Sequence, residues 1–319
     1  MPRCAWSVPA WWAIGIAVVG VAVLGVLLSV DRAEPIFTRD SYWNTPLEAD
    51  APVHPASDDM IDFLRRTNVD DGCVHLVGVD GDPWGEPVYH ARPADPEHEV
   101  RPTRYELPPE FARLRIPEAA RPSANSDAEM VVFDRDRGYV AWFWHARYDR
   151  HNDRWSAGGG SIAYLASNGL DGRLPASDVP RNTGSHRGLN GAIVAVRYQE
   201  VASGSIDRVL KVAVRESGSG HVFPMVGSDG DSDDPAAPPQ GTRIRIAPDI
   251  DLDRLDLSPQ ARVIARALQD YGAVIGDSTG GPIALKLEDA PGRDEPWELG
   301  VRDLCDIPID AFQVVKPPG

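Results

Sequence analysis

Residues 126–148 read "SDAEMVVFDRDRGYVAWFWHARY", and this stretch decides the fold class. Two runs rich in β-branched and aromatic residues flank "DRDRG", a cluster of turn formers. The spacing therefore predicts an antiparallel hairpin with strands over residues 130–133 and 139–148. With Phe133 opposite Tyr139, side-chain alternation puts Asp127, Glu129, Val131, Phe133, Tyr139, Ala141, Phe143, His145 and Arg147 on one face. The other face carries Met130, Val132, Val140, Trp142 and Trp144 and reads as core.

The first face brings chemistry together. In this register Asp127 opposes His145 and Glu129 opposes Phe143. Two carboxylates at i and i+2 on one strand are ~7 Å apart, within the range that glycoside hydrolysis uses. A polysaccharide lyase would use the same parts differently, with His145 or Tyr139 abstracting a proton and Arg147 neutralising a substrate carboxylate. Tyr139 and Phe143 supply ring surface for binding a sugar. The competing reading is a solvated sheet face with ordinary cross-strand ion pairs. A slip of one residue would scatter the set.

Outward from the hairpin, short strand-like runs recur between turn signals, among them "CVHLVGV", "EPVYHA", "SIAYLA", "VLKVAVRE", "TRIRI" and "PIALKLE". Helical patterns are few. One takes Ser57 as its N-cap, a second is capped by Ser258 and runs from Pro259 to a stop at Gly272, and a short third covers residues 198–202. Strands do not alternate regularly with helices, so the pattern predicts a mainly β fold, a β-sandwich or jelly roll with two or three peripheral helices.

The N-terminus differs in kind. Residues 11–30, "WWAIGIAVVGVAVLGVLLSV", hold no charge, and a helix of that length rises about 30 Å, the thickness of a bilayer core. Arg3 precedes the run, Asp31 and Glu34 follow it, and Trp6, Trp11 and Trp12 stand where an interfacial belt belongs. The expectation is an uncleaved signal anchor in the cell membrane. A short cytoplasmic segment (1–10) would precede the span, with a linker (31–40) and an extracytoplasmic domain (41–319) after it. A cleaved signal peptide would need a shorter apolar run and a small-x-small site, and Asp31 spoils the available one. Cys73 and Cys305 are the two thiols on the outer side, where an oxidising compartment would allow them to pair.

The formal charge of −16 argues against a nucleic-acid partner. Only three of the 32 basic residues are lysine, a bias that reads as codon composition. "GDSTGGP" at 276–282 resembles a serine-protease signature around Ser278. Strand-like runs on both sides make it a hairpin turn, and no histidine follows His221, as an α/β-hydrolase would require. "NTGSHRG" places His186 and Arg187 in a Gly-flanked loop able to reach a binding groove. Asp229, Asp231 and Asp233 have the alternate spacing of a calcium loop, but Asp234 and Gln240 stand where an EF-hand needs Gly and Glu. No histidine spacing suggests zinc.

"SYWNTPLEADAPVHPASDDMIDFL", "AEMVVFD" with "WFWHA", "GSIDRVLKVAV", "FPMVGSDG" and "ARALQDYGAVIGDSTGGPIAL", taken in this order, resemble a family of bacterial secreted or membrane-anchored β-rich proteins with no assigned activity. The resemblance implies the location and a single outer domain. It also implies that His often replaces Glu129 and Arg208 in relatives, which weakens a universal catalytic role for Glu129. The expected function is a membrane-anchored protein that binds or cleaves a polysaccharide. The alternative is a non-catalytic module for envelope glycan or protein.

Overall fold

The computed structural model describes Met1 and residues 34–68, 72–289 and 297–317. Apart from Met1, these lie within the compact unit Arg32–Gly319. The expected membrane span at 11–30 falls outside the described residues. Among the described residues no helix is long and apolar enough to cross a membrane.

The unit is mainly β, with several sheets and few helices. The two main sheets are built, in chain order, from β1 (His75–Val77), β2 (Glu86–His90), β3 (Met130–Asp134), β4 (Tyr139–Trp144), β5 (Gly159–Tyr164), β6 (Leu210–Val214), β7 (Arg243–Ile246), β8 (Ala273–Ser278), β9 (Ala284–Lys286), β10 (Glu288–Asp289) and β11 (Phe312–Val315). The helices are α1 (Ser57–Thr67), α2 (Tyr198–Ala202) and α3 (Pro259–Asp270). A six-stranded sheet has the order β1-β9-β6-β8-β7-β11, and a five-stranded sheet the order β5-β4-β3-β2-β10. Both are mixed. β1 with β9, β6 with β8, β2 with β3 and β2 with β10 run parallel. A jelly roll is antiparallel throughout; here parallel pairs are reached through long connections such as the one between β6 and β8.

Three apolar cores stack around these sheets. α1 and α3 cover one face of the six-stranded sheet, where Phe63, Leu64, Ile264 and Leu268 meet Leu210, Val212 and Ile275. A second core holds residues of both sheets, including Val88, Val131, Phe133 and Trp142 from one and Val274 from the other. The third lies on the far face of the five-stranded sheet, where Met130, Val132 and Phe143 meet Phe111 and Trp155. Trp155 belongs to a small sheet formed by Val100–Pro102, Arg147–Asp149 and Arg154–Ala157.

The hairpin forms, but in a different register. Asp134 pairs with Tyr139, Phe133 with Val140 and Met130 with Phe143, one residue away from the expected alignment. Asp134 is fully buried, accepts a hydrogen bond from Arg137 N–H at 3.0 Å, and so extends the strand instead of opening the turn. Because both hairpin faces are apolar core, the hydrophobic pattern does not discriminate between the two registers. Ser57 is another correction. It is the first helical residue of α1, and its hydroxyl accepts from Val314 N–H at 2.9 Å instead of capping the helix. Ser258 does cap α3, accepting from Ala261 N–H at 3.2 Å.

The "GDSTGGP" segment is not a hairpin turn. β6 lies between β8 and β9, so the loop crosses the end of β6. Thr279 N–H and Gly280 N–H bond the carbonyls of Val214 and Arg215 at 2.9 and 3.0 Å on the way.

Candidate active site

Where the two sheets diverge they leave a cleft of about 1430 Å³. Strand alternation dictates its charged wall. On β6, Leu210, Val212 and Val214 face the helices, which turns Lys211 and Ala213 into the cleft. On β9, Leu285 faces the helices and Lys286 the cleft. β8 needs a correction to do the same. Val212 pairs with Ile275 but Ala213 with Asp277, so Gly276 is an extra residue in the strand. That bulge swings Asp277 away from the helix side and onto Lys211. Glycine makes room there: a Cβ at Gly276 would lie 2.5 Å from Leu189 Cδ1 and 3.0 Å from Lys211 Cγ, so a neighbouring side chain would have to move.

Two charged clusters result. Lys211 Nζ donates to Asp277 at 2.8 Å, and Arg187 bonds both Asp277 and Asp229. Burial alone would push the Asp277 carboxyl up, but Lys211 and Arg187 outweigh it and hold the group far below the usual carboxylate range. In the second cluster Lys286 reaches from the larger sheet to the smaller one. Its ammonium donates to Glu129 and, at 3.2 Å, to Glu86. Glu86 on β2 and Glu129, just before β3, are neighbours because those strands run parallel with Val88 beside Val131.

The two glutamates differ in environment. Glu86 is completely buried, and burial pushes its pKa up to about 8, with Lys286 opposing and Glu129 adding to the rise. Its Oε1 is buried without a hydrogen-bond partner. A carboxyl that keeps its proton tolerates that position better than an anion would. Burial works against the charge of Lys286, yet Glu86 and Glu129 outweigh it and raise its pKa above that of an ordinary lysine.

The opposite wall and rim are aromatic. Trp84, Tyr105, Trp142 and Trp144 line the cleft. Trp84 and Tyr105 are 44% and 55% exposed, and the only other exposed large apolar side chains among the described residues are Met1 and Val53. His186 lines the same space; partial burial, aided by the charge of Arg187, lowers its pKa, so its imidazole is neutral at neutral pH.

Of the residues expected from the sequence, Asp127, Glu129, His186 and Arg187 line the cleft. His145 and Arg147 do not; both are exposed outside it. His145 adopts φ 51°, Ala128 adopts φ 43°, and this pair of left-handed residues ends the regular alternation. His145 N–H still bonds Asp127 O at 2.7 Å, but its ring stacks on Trp144 with centroids 3.8 Å apart. Tyr139 and Phe143 are buried in the third core, Phe143 with its ring 4.9 Å from Phe111, so neither offers a surface to a sugar.

The acidic loop does not assemble a calcium cage. Asp229 is taken by Arg187 and Gln240, while Asp231 and Asp233 are exposed. Among the described residues the single group with metal-holding geometry is Cys73, His75 and Cys305. The two sulfurs of that group are joined to each other as a disulfide, with Cα atoms 5.0 Å apart. Ser278 reaches the cleft, but its hydroxyl lies 2.7 Å from Ser217 and bonds no histidine among the described residues.

Sequence reasoning missed Lys211, Lys286, Glu86 and Asp277. One signal was available. In a chain with three lysines among 32 basic residues, two of the three stand in this cleft. Where arginine otherwise supplies positive charge, a retained lysine on an apolar strand marks a site for a compact ammonium. No protein-family model, curated protein or solved structure matches the chain.

Proposed function

We propose that this cleft binds a polysaccharide chain and cleaves it, in a β-sandwich domain held outside the cell membrane by residues 11–30. The observation that carries the reading is the pairing, across one cleft, of an exposed aromatic rim with buried acid–base groups. Exposed rings of this kind offer flat apolar faces to sugar rings. At about 1430 Å³ the space exceeds that of a typical small-ligand pocket and accommodates several sugar units.

His186 is the proton acceptor in this reading. Its neutral imidazole would take a proton from water in a hydrolysis or from a ring carbon in an elimination. Arg187 beside it, linked through Asp277 to Lys211, favours negative charge that develops in the transition state. Asp127 and Glu129 are the carboxylates that reach the substrate. Glu86 stays behind Lys286 and acts through it as a positioning residue.

The test is incubation of the purified protein with neutral and uronic-acid polysaccharides, following new reducing ends and unsaturated product. The variant His186→Ala runs alongside. Product from the wild type alone supports the assignment. Binding of a glycan without product from either protein favours the non-catalytic module, a reading supported by the tying of Glu129, Asp171, Asp229 and Asp277 to cations.

A further inference from the structure

Five cationic side chains line the cleft, and four of them have carboxylate partners. Arg173 pairs with Asp171, Arg187 with Asp229 and Asp277, Lys211 with Asp277, and Lys286 with Glu86 and Glu129. Arg104 is the exception. It makes no salt bridge and donates no hydrogen bond among the described residues, although it stands at the cleft mouth. Its guanidinium lies 5.2 Å from the ring centroid of Tyr105 and 5.2 Å from that of Trp144. The two rings are themselves stacked at an interplanar angle of 29°. Beside them Gly159 leaves the wall without a side chain, and a Cβ there would make ordinary contact with both rings at 3.6 Å.

We infer that Arg104 reads a carboxylate, so that the glycan taken by this cleft is an acidic one built from uronic-acid units. A guanidinium fixed by two rings keeps its N–H edge free and planar, the geometry that binds a carboxylate through two parallel hydrogen bonds. The lining holds six carboxylates, and Glu106 and Asp127 form no salt bridge among the described residues, so the acid group is met at the mouth, where the aromatic contacts and the unpaired guanidinium act together. A carboxylate next to a ring carbon also acidifies that carbon's C–H. An elimination would move that proton to His186, form a carbon–carbon double bond from the freed electron pair and break the adjacent C–O bond, with the leaving oxygen protonated by water. The inference rests on the glycan reading of the cleft and narrows it.

The test is a binding series on the full chain with polygalacturonate, alginate and hyaluronate, each beside its methyl-esterified form, and with dextran sulfate. The wild type is expected to bind at least one free acid about tenfold more tightly than its ester, and Arg104→Ala to bring acid and ester to the same affinity. Arg104→Lys should recover only part of the preference, because an ammonium lacks the planar fork. A preference that survives in Arg104→Ala overturns the role of Arg104. Equal binding of acid and ester overturns the carboxylate inference and leaves the glycan cleft standing. Dextran sulfate bound as tightly as the acids, and lost in the same variant, overturns the selectivity for carboxylate. If no glycan binds at all, the cleft reading fails with it.

Discussion

Lys286 on the six-stranded sheet lies 3.2 Å from Glu86 on the five-stranded sheet, and the same ammonium bonds Glu129. The contact sits where the chain itself passes between the sheets, since Lys286 pairs with Val77 in one and Glu288 with Glu86 in the other. The ion cluster and the strand crossing therefore fasten the closed edge of the cleft together.

Replacing Lys286 by Met should leave Glu129 without its cation in a largely buried site. The expected loss is about 3–5 kcal/mol of unfolding free energy at neutral pH, read by denaturant titration. The double variant Lys286→Met, Glu129→Gln should regain a large part of it. A single variant as stable as the wild type would mean that the cluster contributes nothing to holding the sheets.

Glu86 gives the protein a pH dependence of definite sign. Its pKa stands at about 8 when folded against an ordinary 4.5, so the folded state keeps a proton that the unfolded chain releases. Its contribution is fully present below pH 4.5 and is lost as the pH rises through about 8. The slope from this one group reaches at most ~1.4 kcal/mol per pH unit. Glu86→Gln should flatten that part of the stability curve, measured as denaturation midpoint against pH. Asp277 acts oppositely. Its depressed pKa stabilises the fold above the ordinary aspartate range, and that contribution fades in acid.

Gly276→Ala should be costly although alanine suits most backbones. The added methyl would meet Leu189 at 2.5 Å, so either the buried Leu189 side chain or the bulge that points Asp277 at Lys211 would have to shift. An expected loss of about 1–3 kcal/mol follows from overpacking. Thermal melting checks the stability, and glycan binding reports whether the Lys211–Asp277 pair has moved.

Reduction of the Cys73–Cys305 bridge, or its replacement by two serines, removes a link across 232 residues of sequence. By the loop-entropy argument this should cost about 2–5 kcal/mol. A matched pair of unfolding curves with and without reductant measures it, and identical curves would contradict the prediction.

The sequence by itself determined the mainly β character, the hairpin around "DRDRG", α2, and α3 with its Ser258 cap, because these are written in local turn and cap chemistry. It also brought Asp127, Glu129, His186 and Arg187 forward as candidates, and all four line the cleft. It missed the hairpin register, since apolar residues on both faces of β3 and β4 carry no preference for either. Only the tertiary structure decided which strands run parallel, and with that the meeting of Glu86, Glu129 and Lys286. Those residues are up to 200 positions apart, and pairing over that distance depends on which sheets face each other, not on any local pattern. The Gly276 bulge is the sharpest case: one extra residue in a strand, legible in sequence merely as a glycine, turns Asp277 from the core side to the cleft.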